Sequence, residues 1–291
     1  MTSNIANNNV LNNQQIKQIF DLVIEASEIA ITGFYEKNFV VKNKPDNSKV
    51  TSIDLEISQF IALGLKKILP NIPVICEEGF KGQGKINTSN NTANDAVNKN
   101  LNNCFFLVDP IDGTASFINS KNEFSINIAL IKNNHPVFGM IYAPLFQGGR
   151  MVFSDEKKQV WLYQNDLNIE QVINHPLSRP SQARIIASHG IADKKIDDFM
   201  KKNYGDYHNF KVEKYSSAVK FIILLTNQAD LYLHLKTSME WDTAAGQALV
   251  EMLGGEMREI DLNIEDCQIL NTLAYDKKNY INPNFLASFL K

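Results

Sequence analysis

Cys104-Phe105-Phe106-Leu107-Val108 is an unbroken apolar run that ends on Asp109-Pro110-Ile111-Asp112-Gly113-Thr114. The run predicts a short buried strand, and its end delivers two acids three residues apart, then a glycine and a threonine. Pro110 fixes the backbone so that both carboxylates and the Ile111 carbonyl can face one point. Oxygen donors arranged in that way suit a hard divalent cation. Gly113 lets the backbone approach a ligand closely. Thr114, opening a helical turn, can offer a hydroxyl and a helix-start N–H to an anion. In isolation the same residues also describe an acidic turn with an aspartate cap, so the motif needs partners elsewhere in the chain.

Three other places supply them. Glu77-Glu78 follows a predicted strand at 73–76, and adjacent acids at a strand end repel unless a cation neutralises them. The bland alternative is a solvated loop. Asp242 follows Trp241 and starts an alanine-rich helix that runs to Gly254-Gly255, as an N-cap or as a ligand. Val50-Thr51-Ser52-Ile53-Asp54 puts a carboxylate in the first turn of a helix predicted at 53–69, which Pro70 stops. Together, Glu77, Asp109, Asp112 and Asp242 can hold two or more Mg²⁺ ions about 4 Å apart. Such ions bind a phosphate monoester, lower the pKa of a water and stabilise the leaving oxygen of an in-line displacement. Asp54 and Thr114 would aim the attacking water, and no nucleophilic Ser or Cys is required.

The rest of the chain is that of a folded protein. Its 291 residues are 44% hydrophobic and 21% charged, which excludes collagen-like, mucin-like and wholly disordered classes. A net charge of −3 lacks the basic footprint of a general nucleic-acid binder, so no polymeric nucleic acid is expected as a partner. Helical spacing covers 15–35. Strands are predicted at 124–132, 137–142, 151–153 and 160–163, the first two as a hairpin turned by Asn133-Asn134. Beyond the polar stretch 174–181 the pattern alternates: strands at 184–188, 211–214 and 230–234, helices at 194–203, 217–226 and 242–253. A boundary near Pro180 therefore divides an α+β half, 1–180, from an α/β half, 181–291. An Asn-rich surface loop at 81–103 is expected to carry no function. Three cysteines (Cys76, Cys104, Cys267) make no metal framework, and Cys76 reads as a small buried hydrophobe. With no secretory pattern and no apolar run near twenty residues, a cytoplasmic protein is expected. Peripheral association with the inner face of the cytoplasmic membrane stays open, as does the choice between monomer and homodimer.

Asp109-Pro110-Ile111-Asp112-Gly113-Thr114 and Trp241-Asp242-Thr243-Ala244-Ala245-Gly246 resemble the two signatures of the inositol monophosphatase superfamily of Mg²⁺-dependent, lithium-sensitive phosphatases. The Glu77-Glu78 pair and Val50-Thr51-x-x-Asp54 fall in the expected order. The resemblance implies a layered α/β/α/β/α sandwich, with the site between the two halves and two or three Mg²⁺ ions as cofactor. It matches Glu77, Asp109, the Ile111 carbonyl, Asp112 and Asp242 to metal ligands, and Asp54 and Thr114 to the water-activating pair. Glu78 matches an acid that supports the ligands or holds a third ion, and Gly113 and Thr114 match the phosphate cradle.

Within that superfamily the chain is most similar to the 3'(2'),5'-bisphosphate nucleotidase, or CysQ, branch. Lys44-Pro45-Asp46-Asn47-Ser48-Lys49-Val50-Thr51, Glu123-Phe124-Ser125-Ile126-Asn127-Ile128-Ala129-Leu130 and Tyr142-Ala143-Pro144 look like that branch. Ser216-Ser217-Ala218-Val219-Lys220-Phe221 resembles its segment in which Ser216, Ser217 and Lys220 would meet nucleotide phosphates, beside Asp242. A lysine at a helix start is a sensible point charge for a second phosphate, although most helix lysines are simply solvated. The implied reaction converts adenosine 3',5'-bisphosphate to AMP and phosphate. The chain departs from the branch at Tyr215, where a glycine is common, at Ser188-His189-Gly190-Ile191 and at His234, where an arginine is common. His189 and His234 are candidates to touch an anion there, or are structural. An inositol or sugar monophosphatase is the alternative on the same scaffold; a non-catalytic phosphometabolite-binding or RNA-associated protein is the alternative of another class.

Overall fold

Asn12 and Gln15 start the first helix by capping each other: Asn12 Oδ1 accepts the Gln15 N–H at 2.9 Å and Gln15 Oε1 accepts the Asn12 N–H at 3.0 Å. Helix α1 (Asn13–Glu36) buries Ile16, Ile19, Phe20, Val23 and Phe34, as the spacing predicts. The computed structural model describes residues 10–44, 48–81, 103–167, 169–175, 177, 180–205, 209–262 and 268–290, and the elements and counts below refer to these. Residues 82–102 of the expected Asn-rich loop, and Cys267, lie outside them.

The chain continues through β1 (Val41–Asn43), β2 (Lys49–Thr51), α2 (Ser52–Ile68), β3 (Val74–Cys76), α3 (Glu77–Lys81), β4 (Cys104–Asp112) and α4 (Thr114–Ile118). There follow β5 (Ser125–Lys132), β6 (His135–Ala143), β7 (Arg150–Ser154), β8 (Val160–Gln164) and β9 (Ile169–Val172). Beyond residue 180 come β10 (Ala183–Ser188), α5 (Asp193–Asn203), β11 (Phe210–Tyr215), α6 (Val219–Leu225), β12 (Leu231–His234) and β13 (Ser238–Met239). The last elements are α7 (Glu240–Met252), β14 (Glu256–Asp261), β15 (Gln268–Thr272), β16 (Ile281–Asn282) and β17 (Asn284–Ser288).

Strands β3 to β9 form a seven-stranded sheet in sequence order, with β3 and β4 parallel and every later pair antiparallel. A six-stranded sheet runs β11-β10-β12-β17-β14-β15, parallel among its first three strands and antiparallel thereafter. On one face of the first sheet, Ile126, Ile128 and Leu130 of β5 pack with α1 and α2. On its other face, Ala129 and Ile131 join a core shared with α6, α7 and the inner face of the second sheet, including Ile186, Phe285 and Ala287. The outer face of the second sheet, with Ile185, Leu233 and Leu286, is covered by Ile196, Phe199 and Met200 of α5. The order of layers is therefore helices, sheet, helices, sheet, helix, the α/β/α/β/α sandwich that the resemblance implies.

Packing holds these layers more than capping does. Each fully buried Ile, Val or Phe contributes about 1.5–3 kcal/mol, whereas an N-cap is worth about 1 kcal/mol. The middle helix layer sits close against the first sheet: a Cβ on Gly139 of β6 would come within 2.3 Å of the Ala245 carbonyl oxygen of α7. Only a residue without a side chain permits that approach. No described helix is long and apolar enough to cross a membrane.

Candidate active site

In a regular strand, Asp109 and Asp112 would point to opposite faces, because their spacing is odd. The register between β4 and β5 shifts between them: Asp109 pairs with Asn127 and Asp112 with Ser125, so three steps on β4 match two on β5. That bulge at Pro110-Ile111 turns both carboxylates to one side. Helix α7 brings Asp242 to the same place from the C-terminal half, as its third residue, with Asp242 Oδ2 accepting the Met239 N–H at 2.8 Å. One carboxylate oxygen from each of Asp109, Asp112 and Asp242 lies within 4.8 Å of the other two. The cap and the ligand readings of Asp242 are thus compatible.

Such a group repels itself. Burial pushes the Asp109 carboxyl well above its ordinary range, and the charges of Glu77, Asp112, Asp242 and Glu78 add to the effect. Burial raises Asp112 as well, against the pull of Lys220 and of hydrogen bonds from the Ala218 N–H and Asn127 Nδ2. An all-oxygen donor set that holds its charge only at a cost fits a hard divalent cation such as Mg²⁺. The Ile111 carbonyl oxygen is adjacent, 3.1 Å from Thr114 Oγ1, and its lone pairs are open to a cation when the Thr114 proton is turned to Asp54.

Thr51 caps α2 and in doing so fixes Asp54. Asp54 Oδ2 accepts the Thr51 N–H at 2.9 Å and also the Thr51 hydroxyl. Asp54 Oδ1 is the oxygen that faces Thr114, whose Oγ1 lies 3.0 Å away. Burial raises the Asp54 carboxyl above its ordinary value, while the bonds from Thr51 and Thr114 oppose the rise. The two residues matched to water activation are therefore in contact, beside the acid triad.

Glu77 lies next to the triad without joining its tight group. Its charge acts on Asp109, Asp112 and Asp54, and its Oε1 accepts from Lys44 Nζ at 2.9 Å. Lys44 Nζ also pairs with Glu78 Oε1 at 2.5 Å. Burial pushes the Glu78 carboxyl up to about 7, opposed by Lys44 and assisted by Glu77. The cation that adjacent acids at a strand end require is in part the protein's own lysine.

On the substrate side, Gly113 takes a left-handed φ of 88°, and a Cβ there would sit 2.9 Å from the Ser217 Cβ. Ser217 is itself left-handed, with φ 58°, so α6 starts two residues later than the spacing predicts. Ser217 Oγ lies 2.9 Å from Ser125 Oγ, and the Ser216 N–H is taken by Glu123 Oε2 at 2.7 Å. Lys220 is buried, not solvated: its Nζ donates to the Ser217 carbonyl at 2.5 Å and lies 5.4 Å over the Tyr232 ring. Burial lowers its ammonium to about 8, against the pull of Asp112, Asp242 and Glu123.

His189, 48% exposed, pairs with Glu123 Oε2 at 3.2 Å. His234 stacks on Phe285 and meets the Tyr232 hydroxyl at 3.1 Å through Nδ1. Burial lowers its pKa to about 3, with Lys220 and Lys236 adding to the effect, so the ring is neutral. It does not replace the charge of an arginine.

Sequence reasoning missed Asn127, Ser125 and Glu123 as members of this region. The alternation in 124–132 predicts one polar face, but β5 is buried on both faces until Lys132. Ser125 and Asn127 are buried with their side chains bonded to each other, to Ser217 and to Asp112, and polar residues on a strand wholly inside the fold were the available signal.

Known proteins share this arrangement at the level of the fold. The 3'(2'),5'-bisphosphate nucleotidase CysQ of Aggregatibacter actinomycetemcomitans is 27% identical over 95% of this chain and 93% of that relative. CysQ from Bacteroides thetaiotaomicron superposes with a TM-score of 0.68 at 23% identity, covering 96% of this chain and 98% of that one. An IMPase/NADP phosphatase solved with Mg²⁺ and phosphate gives 0.66 at 17% identity, over 94% of this chain and 90% of that one. The model of the inositol monophosphatase family matches residues 12–289. That span takes in every strand of both sheets and each acid of the triad, and on it the chain belongs to the inositol monophosphatase family.

Proposed function

We propose that this chain is a Mg²⁺-dependent phosphomonoesterase whose substrate is a nucleoside bisphosphate, adenosine 3',5'-bisphosphate above all, released as AMP and phosphate. The observation that carries the reading is the convergence of Asp109, Asp112 and Asp242 beside the Asp54–Thr114 pair. Glu77 and the Ile111 carbonyl complete a set of ligands for two or three ions. Bound there, Mg²⁺ supplies charge neutralisation for the phosphate, acidification of a water and stabilisation of the leaving oxygen.

The protein's own groups do the positioning. The Thr114 hydroxyl points its proton at Asp54, so its oxygen is free to accept a proton from the attacking water as its own passes to Asp54. Thr51 holds Asp54 in place for that transfer. The water oxygen bonds to phosphorus in line with the leaving ester oxygen, whose bond to phosphorus breaks and which then takes up a proton from solvent water, while Asp54 returns the proton it received to solvent. Gly113 and Thr114 border the phosphate, and Glu78 with Lys44 orients Glu77. Ser216, Ser217 and Lys220 lie on the side where the remainder of a nucleotide would extend. The nucleotidase relatives support this choice of substrate.

One observation favours the second reading, an inositol or sugar monophosphatase: His234 is buried and neutral, and so brings no charge to a second phosphate. Phosphate release from adenosine 3',5'-bisphosphate and from inositol 1-phosphate, side by side with Mg²⁺ and with a chelator, tests the proposal. Preference for the bisphosphate, lost on chelation, is expected; preference for the inositol ester overturns the substrate. No turnover on either would return the chain to a binding role, against which stands the presence of every acid that the chemistry needs.

A further inference from the structure

Asp109 and Asp112 come from the N-terminal half and Asp242 from the C-terminal half, so the group they form depends on how firmly the first turn of α7 is held. Glu240, the first residue of α7, is fully buried and has no part in the chemistry above. Its Oε2 accepts the Asp276 N–H and its Oε1 the Lys277 N–H, both at 2.8 Å, and Lys277 Nζ stands 3.1 Å from Oε1. Two successive backbone N–H groups beside a left-handed residue, Asp276 at φ 71°, make a nest for an anion, and the protein's own carboxylate fills it. Asn282, also fully buried, grips the same turn: its Nδ2 donates to the Met239 carbonyl at 2.9 Å and to Thr243 Oγ1 at 2.6 Å. Met239 in turn gives its N–H to Asp242.

The segment that holds Glu240 is itself tied to the first sheet. At the turn between β5 and β6, the Tyr275 N–H bonds the Asn134 carbonyl at 3.0 Å, and Asn134 Nδ2 donates to the Tyr275 carbonyl at 2.8 Å. Asp276, Asn279 and Tyr280 are left-handed although none is glycine, so surrounding bonds must offset the strain. We infer that Glu240 is a positioning residue for the metal centre: by clamping residues 276–277 it holds Asp242 rigidly enough to favour Mg²⁺ over the larger Ca²⁺. The inference rests on Asp242 being a metal ligand. Mg²⁺ demands near-ideal octahedral oxygens at about 2.0–2.1 Å, whereas Ca²⁺ accepts irregular sets at about 2.3–2.6 Å. A loosened Asp242 therefore weakens Mg²⁺ more than Ca²⁺.

Calorimetric titration of the metal-free protein with Mg²⁺ and with Ca²⁺, beside thermal unfolding, provides the test. Glu240→Gln keeps the volume and one acceptor but sets an NH₂ against one of the two N–H groups. The ratio of the Ca²⁺ Kd to the Mg²⁺ Kd falls about tenfold in this variant, through Mg²⁺. A lower melting temperature with an unchanged ratio marks a merely structural role and overturns the inference, as does an equal loss of affinity for both ions. Asn134→Gly frees the same segment at an exposed turn whose φ of 63° glycine accepts. It shifts the ratio in the same direction, and it decides the matter if Glu240→Gln does not fold, an unchanged ratio then overturning the inference. If the wild type binds no Mg²⁺, or Asp242→Asn binds it as well as the wild type, the ligand reading of Asp242 has failed and the inference falls with it. Mg²⁺ binding that is lost in Asp242→Asn, with an unchanged ratio in Glu240→Gln, overturns the role of Glu240 alone.

Discussion

Thr114 Oγ1 and Asp54 Oδ1 lie 3.0 Å apart although sixty residues separate them, and the contact joins the start of α4 to the first turn of α2. Because the other Asp54 oxygen is held by Thr51, the carboxylate has one direction in which to take a proton. Thr114→Ala removes the relay and leaves Asp109, Asp112 and Asp242 in place. Turnover falls roughly 10²–10³-fold, while the Mg²⁺ concentration for half-maximal rate changes little, and Thr114→Ser keeps most of the activity. A large rise in the Mg²⁺ requirement of Thr114→Ala would assign the hydroxyl to the metal instead.

Asp112→Asn and Asp242→Asn each remove one anionic ligand but keep an oxygen for the Ala218 and Met239 N–H groups. Without Mg²⁺ both variants should be at least as resistant to heat as the wild type, since one of three mutually repelling carboxylates is gone. Adding Mg²⁺ stabilises the wild type, by about 2.7 kcal/mol at a hundredfold excess over Kd, and the variants much less. Turnover is abolished. Thermal unfolding with and without Mg²⁺, alongside a phosphate-release assay, reads both effects, and a wild-type Mg²⁺ response in either variant contradicts the site.

Lys44 is the counter-charge for two carboxylates at once, with Glu77 at 2.9 Å and Glu78 at 2.5 Å. Lys44→Met takes away the cation that holds the Glu78 carboxyl down, so Glu78 must stay charged without a partner or take up a proton, at a cost of up to roughly 3–5 kcal/mol. Glu78→Gln added to Lys44→Met removes the ionisable group and recovers much of the loss. Denaturant unfolding of the two variants measures the difference. Equal stability would mean that water or another group reaches Glu78.

The parts of this fold legible in the sequence are those where one local pattern decides the outcome. The α1 stripe, the Thr51 cap and the run from Cys104 into Asp109 each name their element without help from the rest of the chain. Strands β14, β15 and β17 were not legible. Glu256-Met257-Arg258-Glu259-Ile260-Asp261 buries only Met257 and Ile260, and a bulge between Arg258 and Ile260 breaks the alternation that would have marked it. The same division holds in the site. The acids announce themselves by motif, but the pairing of Lys44 with Glu78 and of Glu123 with Ser216 depends on elements that meet only when folded. Lys220 shows the limit most clearly: its flanks, Ala218-Val219 and Phe221-Ile222-Ile223-Leu224-Leu225, are apolar all round and mark a buried helix, but they do not say that the ammonium will lie over Tyr232.

His234 gives a prediction that separates a structural ring from an anion-binding one. Its pKa is held at about 3 by burial, with Lys220 and Lys236 nearby and the Tyr232 and Ser188 hydroxyls on Nδ1. In the unfolded chain the ring titrates near 6.5. Between these values the unfolded state binds a proton that the folded state refuses, so stability is complete above about pH 6.5 and declines as pH falls toward 3. From pH 7.5 to 4.5 this group alone removes about 2–3 kcal/mol. His234→Gln has no proton to take up and should lose that much less over the same interval, although carboxylates titrate in both proteins. Denaturant unfolding of wild type and His234→Gln at the two pH values gives the difference directly. Parallel losses would show that the ring is charged in the folded protein, and would return His234 to the residues able to attract a second phosphate.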